Sequence, residues 1–182
     1  MKGWKGEGAP KNEPNVFMDI KIRRGLEEDL QAMLDIYNDI ILHTTAVYDY
    51  EPHTLDMRKE WFALKKKQGF PVFVAAVDGI IAGFSTIGPF RREWTAYKYS
   101  VENSVYVKMD YRGRGIGRLL LAPLIDAARE LKMHTVIAGI EASNTASLKL
   151  HRDFGFEEVA HFKQVGWKFE RWLDLKFLQK MI

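Results

Sequence analysis

The sequence contains no cysteine among its 182 residues. This absence excludes disulfide bonds, thiolate metal ligands and a cysteine nucleophile. Histidines are also few, and His43, His53, His134 and His161 do not have the spacing of a metal-binding motif. We therefore expect no metal site.

Long apolar runs are absent as well. No stretch reaches the length of a membrane-spanning helix, and the first residues lack the apolar core of a signal peptide. These absences predict a cytoplasmic protein with no membrane partner. The net charge is only +3 and the basic residues are spread along the chain, which argues against a nucleic-acid partner.

One basic cluster stands out, Lys65-Lys66-Lys67, just before Gly69. Cations near the C-terminus of a helix complement its dipole. We interpret the cluster as a solvated helix end rather than as a phosphate-binding patch.

The composition is that of an ordinary globular domain, with 47% hydrophobic and 28% charged residues. Residues 1–17 are rich in Gly, Lys, Pro and Asn and show no apolar periodicity, so we expect a flexible N-terminal extension. Residues 18–182 are expected to form a single domain. Their apolar pattern predicts the order β-α-α-β-β-β-α-β-α-β-β, a mixed α/β sheet flanked by helices.

Periodicity and turn residues give the expected boundaries of the elements. The predicted helices cover 27–42, 54–68, 117–132 and 146–154, and the predicted strands lie near 20–23, 71–77, 80–87, 99–109, 135–140, 157–165 and 166–178. Asp78-Gly79 predicts a tight hairpin turn. The residues of the second helix expected to face inward are Leu55, Trp61, Phe62 and Leu64.

The most informative segment is the loop at 112–118, Arg-Gly-Arg-Gly-Ile-Gly-Arg, which precedes an amphipathic helix. Its three glycines lack a Cβ and can adopt positive φ, so backbone N–H groups can converge on an anion. The helix start adds N–H groups and the positive end of a dipole. The loop predicts a pyrophosphate site, with a surface turn as the alternative; its residues are Arg112, Gly113, Arg114, Gly115, Ile116, Gly117 and Arg118.

Two common phosphate-binding motifs do not fit this loop. The G-x-G-x-x-G spacing of dinucleotide sites is not met, and a P-loop would need Lys and Ser or Thr where Arg118 follows Gly117. The loop matches Arg-x-x-Gly-x-Gly after a predicted strand. Strand, basic glycine loop and helix together resemble the coenzyme A site of the GCN5-related N-acetyltransferases (GNAT).

Four further stretches resemble the phosphinothricin and methionine sulfoximine N-acetyltransferases of that superfamily, and the resemblance extends from residue 20 to about residue 178. They are Gly88-Pro89-Phe90-Arg91, Val101 to Val107, Ser147 to Phe156, and Gly166-Trp167-Lys168 with Trp172-Leu173-Asp174. The resemblance implies a mostly antiparallel sheet of about seven strands. It also implies acetyl-CoA as donor, the α-amino group of a small amino acid as acceptor, and a homodimer.

The resemblance assigns the general base to Glu102, which would act through water. Such a base is needed because the acceptor amine must lose a proton before it attacks a thioester. Without cysteine, the transfer must be direct or use another nucleophile. The alternative for Glu102 is a carboxylate paired with Lys or Arg at the rim of the site.

His151 is the second candidate for catalysis. It follows Ser147 by four residues on a predicted helix, so both side chains can face the pantetheine arm. His151 could protonate the leaving thiolate or relay the amine proton; a structural histidine is the alternative.

The resemblance also implies contacts to the coenzyme. Asn144 would hydrogen-bond the pantetheine, and its alternative role is to cap the helix. The backbone N–H groups implied to bind the thioester oxygen and the pantetheine amides are those of Val105, Tyr106 and Val107.

An acceptor carboxylate needs a cation, and Arg91 is the best candidate because a guanidinium can bind a carboxylate through two hydrogen bonds. The family pattern is Phe-Arg-x-Arg, whereas this chain reads Phe90-Arg91-Arg92-Glu93. We expect Arg92 to assist Arg91; the alternative is a surface loop in which the arginines pair with Glu93.

Two other functions stay open at this stage. The protein could acetylate protein or peptide amines, which would require an open groove. It could also be a non-catalytic acyl-CoA-binding module, which Glu102 and His151 beside the loop disfavour.

Overall fold

The computed structural model describes residues 19–182. It contains seven strands and four α-helices in the predicted order. The strands are β1 (Ile20–Arg24), β2 (Val72–Val77), β3 (Ile80–Pro89), β4 (Ser100–Val107), β5 (Thr135–Glu141), β6 (Glu157–Lys168) and β7 (Arg171–Met181). The helices are α1 (Leu30–His43), α2 (Leu55–Gln68), α3 (Ile116–Glu130) and α4 (Thr145–Asp153). The predicted extension at 1–17 lies outside the described residues.

All seven strands form one sheet with the order β1-β2-β3-β4-β5-β7-β6. Every neighbouring pair is antiparallel except β4 and β5, which are parallel. The mixed, mostly antiparallel sheet flanked by helices is therefore confirmed. Within residues 19–182, no helix is long and apolar enough to cross a membrane.

Helices cover both faces of the sheet. One buried cluster joins α1 and α2 to residues such as Val74 and Phe84, and another joins α3 and α4 to Ile87 and Val101. Because side chains alternate along a strand, consecutive residues of β4 face opposite helix layers. This alternation decides the surroundings of each polar residue of β4.

The ends of α2 are as predicted, but its inward face is partly different. Thr54 accepts a hydrogen bond from the Met57 N–H at the start, and Gly69 ends the helix with a φ of 74°. Leu64, expected inside, is 39% exposed, whereas Arg58 is only 3% exposed. The Arg58 guanidinium lies 4.3 Å from the centre of the Tyr37 ring, so an aromatic surface replaces a carboxylate partner.

The last hairpin corrects a predicted boundary. We expected β6 to end at residue 165, but it continues to Lys168, and the turn lies at Phe169-Glu170, with φ values of 50° and 56°. Within β6, the pairing with β7 is irregular, and the register shifts between Phe162 and Gly166. By contrast, the Asp78-Gly79 turn is confirmed, with φ values of 50° and 83°.

Candidate active site

The site forms where β4 and β5 separate. Their parallel pairing covers only three residue pairs and ends at Glu102 with Ile137. Beyond this point, the part of β4 that contains Asn103–Val107 pairs with β3 alone among the described strands. Two adjoining cavities occupy the gap and share residues such as Val105, Tyr106 and Asn144.

The outer cavity has a volume of about 380 Å³ and reaches the glycine loop. Gly113 and Gly115 have φ values of 75° and 80°, as predicted. Gly117 does not: it lies inside α3, and its missing Cβ leaves room for Leu150, whose Cδ2 would be 3.2 Å from a Cβ there. Two glycines therefore shape the turn, and the third allows close helix packing.

The start of α3 offers backbone donors to this cavity. The N–H groups of Arg118 and Leu119 donate to the Gly115 carbonyl. In the turns, loops and caps of residues 19–182, no backbone carbonyl accepts a hydrogen bond from the N–H groups of Gly115, Ile116 and Gly117. Unpaired N–H groups at the positive end of a helix dipole form an anion-binding site.

Most of the predicted coenzyme residues line the outer cavity. They are Val105, Tyr106, Val107, Arg112, Gly113, Gly115, Ile116, Gly117, Asn144 and Ser147. Arg114 and Arg118 do not line it: Arg114 stacks on Tyr111 at 5.5 Å, and Arg118 on Phe154 at 4.9 Å. These two exposed guanidiniums lie outside the cavity.

Asn144 is the N-cap of α4. Its Oδ1 accepts a hydrogen bond from the Ser147 N–H at 3.1 Å, as the capping alternative expected. It also lines both cavities. The cap fixes the side chain at their junction.

The inner cavity, about 200 Å³ in volume, contains both predicted catalytic residues, Glu102 and His151. Burial raises the pKa of Glu102 above its ordinary value, while a hydrogen bond from the backbone N–H of Gly139 and the charge of Lys65 act in the opposite direction. A partly buried carboxylate of raised pKa is a suitable proton acceptor.

His151 is 3% exposed, and both of its ring nitrogens are engaged. Nδ1 lies 2.8 Å from the Ser147 carbonyl oxygen, and Nε2 lies 2.9 Å from Asn103 Nδ2. Because a carbonyl only accepts, Nδ1 carries the proton and Nε2 accepts from the Asn103 amide. Burial lowers the pKa of His151, so the neutral ring is favoured.

Asn103 is 7% exposed, and its Oδ1 has no hydrogen-bond partner among residues 19–182. The residue lines the inner cavity, on the face of the sheet opposite to Glu102. No local sequence pattern identifies Asn103 as a site residue, because its partner lies on a helix 48 residues away.

Arg91 and Arg92 are exposed in the loop that joins β3 and β4, and they line neither cavity. The loop nevertheless begins close to the site, because Gly88 of β3 pairs with Glu102. Arg91 itself has a φ of 46° and lies 5.8 Å from the Phe90 ring. The structure thus brings the loop, but not the two guanidiniums, to the cavities.

The interpretation of the lysine cluster as a solvated helix end is wrong for Lys65. Its Nζ donates to the Ile87 carbonyl at 2.7 Å, and burial lowers its pKa to about 8. The helical spacing does indicate that Lys65 faces the core, because it shares one face of α2 with Arg58, Trp61 and Phe62. The prediction was wrong because it considered only the charge of the side chain.

Two buried charged residues hold the segment at 44–47, which lines both cavities. Lys168 is 2% exposed, and its ammonium donates to the carbonyls of Ile41, Thr44 and Val47 at 2.7, 3.0 and 2.6 Å. On the other side, the Glu141 carboxylate accepts a hydrogen bond from Thr45 Oγ1 at 3.0 Å. Sequence reasoning did not assign either role.

Residues 30–156 match the model of the acetyltransferase (GNAT) family. An L-methionine sulfoximine/L-methionine sulfone acetyltransferase from Salmonella typhimurium is 41% identical over 158 residues, which cover 87% of this chain and 92% of the relative.

Solved structures agree with this match. A phosphinothricin acetyltransferase from Sinorhizobium meliloti, in complex with acetyl-CoA, has a TM-score of 0.87 at 32% identity and covers 91% of this chain and 89% of its own. A ribosomal-protein-alanine N-acetyltransferase from Brucella melitensis has a TM-score of 0.87 at 49% identity, over 89% and 99% of the two chains. With the family model matched over most of the domain, the chain belongs to the GNAT acetyltransferase family.

Proposed function

We propose that this protein transfers the acetyl group of acetyl-CoA to the α-amino group of a small amino acid, such as methionine sulfoximine or phosphinothricin. One observation carries the proposal: two adjoining cavities lead from the N–H groups at the start of α3 to the Glu102 carboxylate. The acceptors named for the relatives support the choice of substrate.

The residues of the outer cavity fit the donor. The N–H groups of Gly115, Ile116 and Gly117 would hold the diphosphate, and Arg112 lines the same cavity. The open edge of β4 would pair with the pantetheine amides through its backbone. Arg114 and Arg118 would act from the surface, by attracting the phosphates.

Glu102 is the general base of this proposal. When bound, acetyl-CoA supplies the acetyl group as a thioester, whose C–S bond breaks as the new C–N bond forms. Glu102 accepts the proton that the acceptor ammonium must lose, directly or through water. Its raised pKa makes the carboxylate a stronger base than an exposed glutamate, provided that it is ionised.

A proton-donating role of His151 stays a prediction. As described, Nε2 carries no proton, so donation to a thiolate would first require a proton on that nitrogen and a different contact with Asn103. The hydrogen bonds favour a second role, in which His151 positions Asn103 in the cavity wall.

We propose Arg91, assisted by Arg92, as the cation that binds the acceptor carboxylate. Both are exposed on a loop that starts next to the Gly88 and Glu102 pair, so the loop would have to close over a bound acceptor.

We also propose that the protein is a homodimer. Support comes from exposed aromatic side chains on β6 and β7: Phe162, Trp167 and Trp172 are each about half exposed. Trp167 and Trp172 pair across the two strands, with ring centres 5.0 Å apart. A cytoplasmic location stays a prediction.

The experiment that tests the function is the release of free CoA thiol from acetyl-CoA with a panel of acceptors. The panel contains methionine sulfoximine, phosphinothricin and the α-carboxamide of each. We expect turnover with the free acids, poor turnover with the amides, and a loss of about 100-fold or more in the Glu102→Gln variant. Acetyl-CoA binding without turnover of any amine would instead identify a non-catalytic binding module.

The second candidate is acetylation of the N-terminal amine of a protein. It is favoured by the name of the 49% identical ribosomal-protein-alanine N-acetyltransferase. A peptide that begins with alanine belongs in the same panel. If that peptide outperforms every free amino acid, the small-molecule assignment is wrong and this candidate replaces it.

A further inference from the structure

Lys65 occupies an unusual place for a residue in the last turn of a helix. Its side chain is half-buried, and its Nζ lies directly above Gly88 of β3. A Cβ at residue 88 would be 2.5 Å from Nζ, closer than real Cβ contacts allow. The ammonium therefore fills the space that a side chain at residue 88 would take.

This space lies next to Glu102. Gly88 and Glu102 are paired across β3 and β4, and paired residues of antiparallel strands project to the same face. The carboxylate of Glu102 and the ammonium of Lys65 are thus neighbours on the α2 side of the sheet. Within residues 19–182, neither group forms an ion pair, with the other or with any further residue, so the two interact through their charges at a longer distance.

Few other groups act on this carboxylate. The backbone N–H of Gly139 on β5 donates to Glu102, and Tyr106 of β4 is close enough to interact with its charge. On β3, Gly88 pairs with Glu102, and the neighbouring Ile87 carbonyl accepts a hydrogen bond from Lys65. Lys65 is therefore the one cation among the described residues that is found to act on Glu102.

Two opposing effects act on the protonation of Glu102. Burial favours the protonated acid, and a nearby positive charge favours the carboxylate. Lys65 has a lowered pKa of about 8, so it carries its charge at neutral and acidic pH. Over the range in which a glutamate titrates, the ammonium is present.

We propose that Lys65, held in the space left by Gly88, keeps Glu102 ionised and sets the pH at which this residue can accept a proton. The functional part of this inference rests on the proposed role of Glu102 as the base. Lys65 acts through Glu102 and is a positioning residue, not a catalytic one. Gly88 is part of this arrangement because a side chain at residue 88 would displace the Lys65 ammonium.

The test compares pH profiles of kcat/KM for the parent, Lys65→Met and Gly88→Ala. Both variants should lose about 10-fold at pH 6 and agree with the parent within about 2-fold at pH 9, because only the ionisation of Glu102 has changed. Lys67→Met, an exposed lysine of the same turn, is the matched control and should follow the parent profile.

A second measurement does not depend on turnover. The titration of the Glu102 carboxyl, followed by its ¹³C NMR signal in folded protein, should move to higher pH in Lys65→Met and Gly88→Ala. A carboxyl that titrates as in the parent would overturn the inference. So would a uniform rise in acceptor KM at every pH, which would make Lys65 an acceptor contact.

The two proposals fail in different ways. If the acid limb of the profile persists in Glu102→Gln, Glu102 is not the base, whatever the NMR titration shows. If that limb is lost in Glu102→Gln but does not move in Lys65→Met, the base stands and the inference about Lys65 is wrong.

Discussion

Replacement of Lys168 by methionine should destabilise the protein and weaken acetyl-CoA binding together. The ammonium of Lys168 donates to three carbonyls at the end of α1 and in the segment that follows it. Methionine keeps most of the apolar stem and removes all three donors. The variant therefore isolates the contribution of the ammonium.

The magnitude follows from the carbonyls left behind. A buried polar group without a partner costs about 1–3 kcal/mol. Two of the three carbonyls belong to buried residues, Ile41 and Val47, while that of Thr44 is closer to solvent. Part of the loss is offset because a buried ammonium no longer has to be desolvated. We expect a net loss of about 2–4 kcal/mol, which lowers Tm by about 5–15 °C.

Thermal unfolding and calorimetric titration with acetyl-CoA measure the two effects. Because the segment at 44–47 lines the outer cavity, the Kd should rise at a temperature at which the variant is still folded. Lys163→Met, an exposed lysine on the same strand, is the control and should change neither quantity. A Lys168→Met variant as stable as the parent would refute the idea that these hydrogen bonds fix the segment.

Three more predictions concern the glycine loop, the acceptor loop and Lys65. Gly115→Val should weaken acetyl-CoA binding by about 10- to 100-fold, because valine is strained at a φ of 80°; unchanged affinity in a calorimetric titration would place the diphosphate elsewhere. Arg91→Ala should raise the acceptor KM by about 10- to 100-fold without affecting acetyl-CoA binding, and equal rates with a free amino acid and its amide would contradict this. For Lys65, the folded chain loses its proton near pH 8 and the unfolded chain near its ordinary 10.5, so stability contributed by this residue rises with pH in between. Between pH 8 and pH 9.5, the free energy of unfolding of the parent, measured by urea denaturation, should increase by about 1–2 kcal/mol relative to that of Lys65→Met. If the two free energies depend on pH in the same way, the amine is not buried.

The order of the elements could be predicted because each has a clear period and clear end signals. Thr54 and Gly69 bound α2, and Asp78-Gly79 turns the chain between β2 and β3, through local chemistry that the sequence displays directly. The glycine loop before α3 is of the same kind. Such features depend on neighbours in the chain alone.

The errors arose where a tertiary contact overrides the usual behaviour of a residue. Lys65 was predicted to be solvated, and Arg58 was not among the residues predicted to face inward. In the structure, a carbonyl accepts a hydrogen bond from Lys65, and aromatic rings surround Arg58. The Phe169-Glu170 turn has no glycine to indicate it, although both residues have positive φ. The contact between Asn103 and His151 joins a strand to a distant helix, which no local pattern encodes.

The irregular register of β6 has a consequence for the proposed homodimer. β6 is an edge strand, and it carries three exposed apolar side chains, those of Val159, Phe162 and Val165. A long, flat edge of that composition would invite strand-by-strand aggregation. Shifts in register on both sides of Phe162, with Gln164 at a φ of 53°, interrupt the row of backbone donors and acceptors that another strand would need. The apolar surface can then be used for side-by-side packing while the edge resists growth into fibrils.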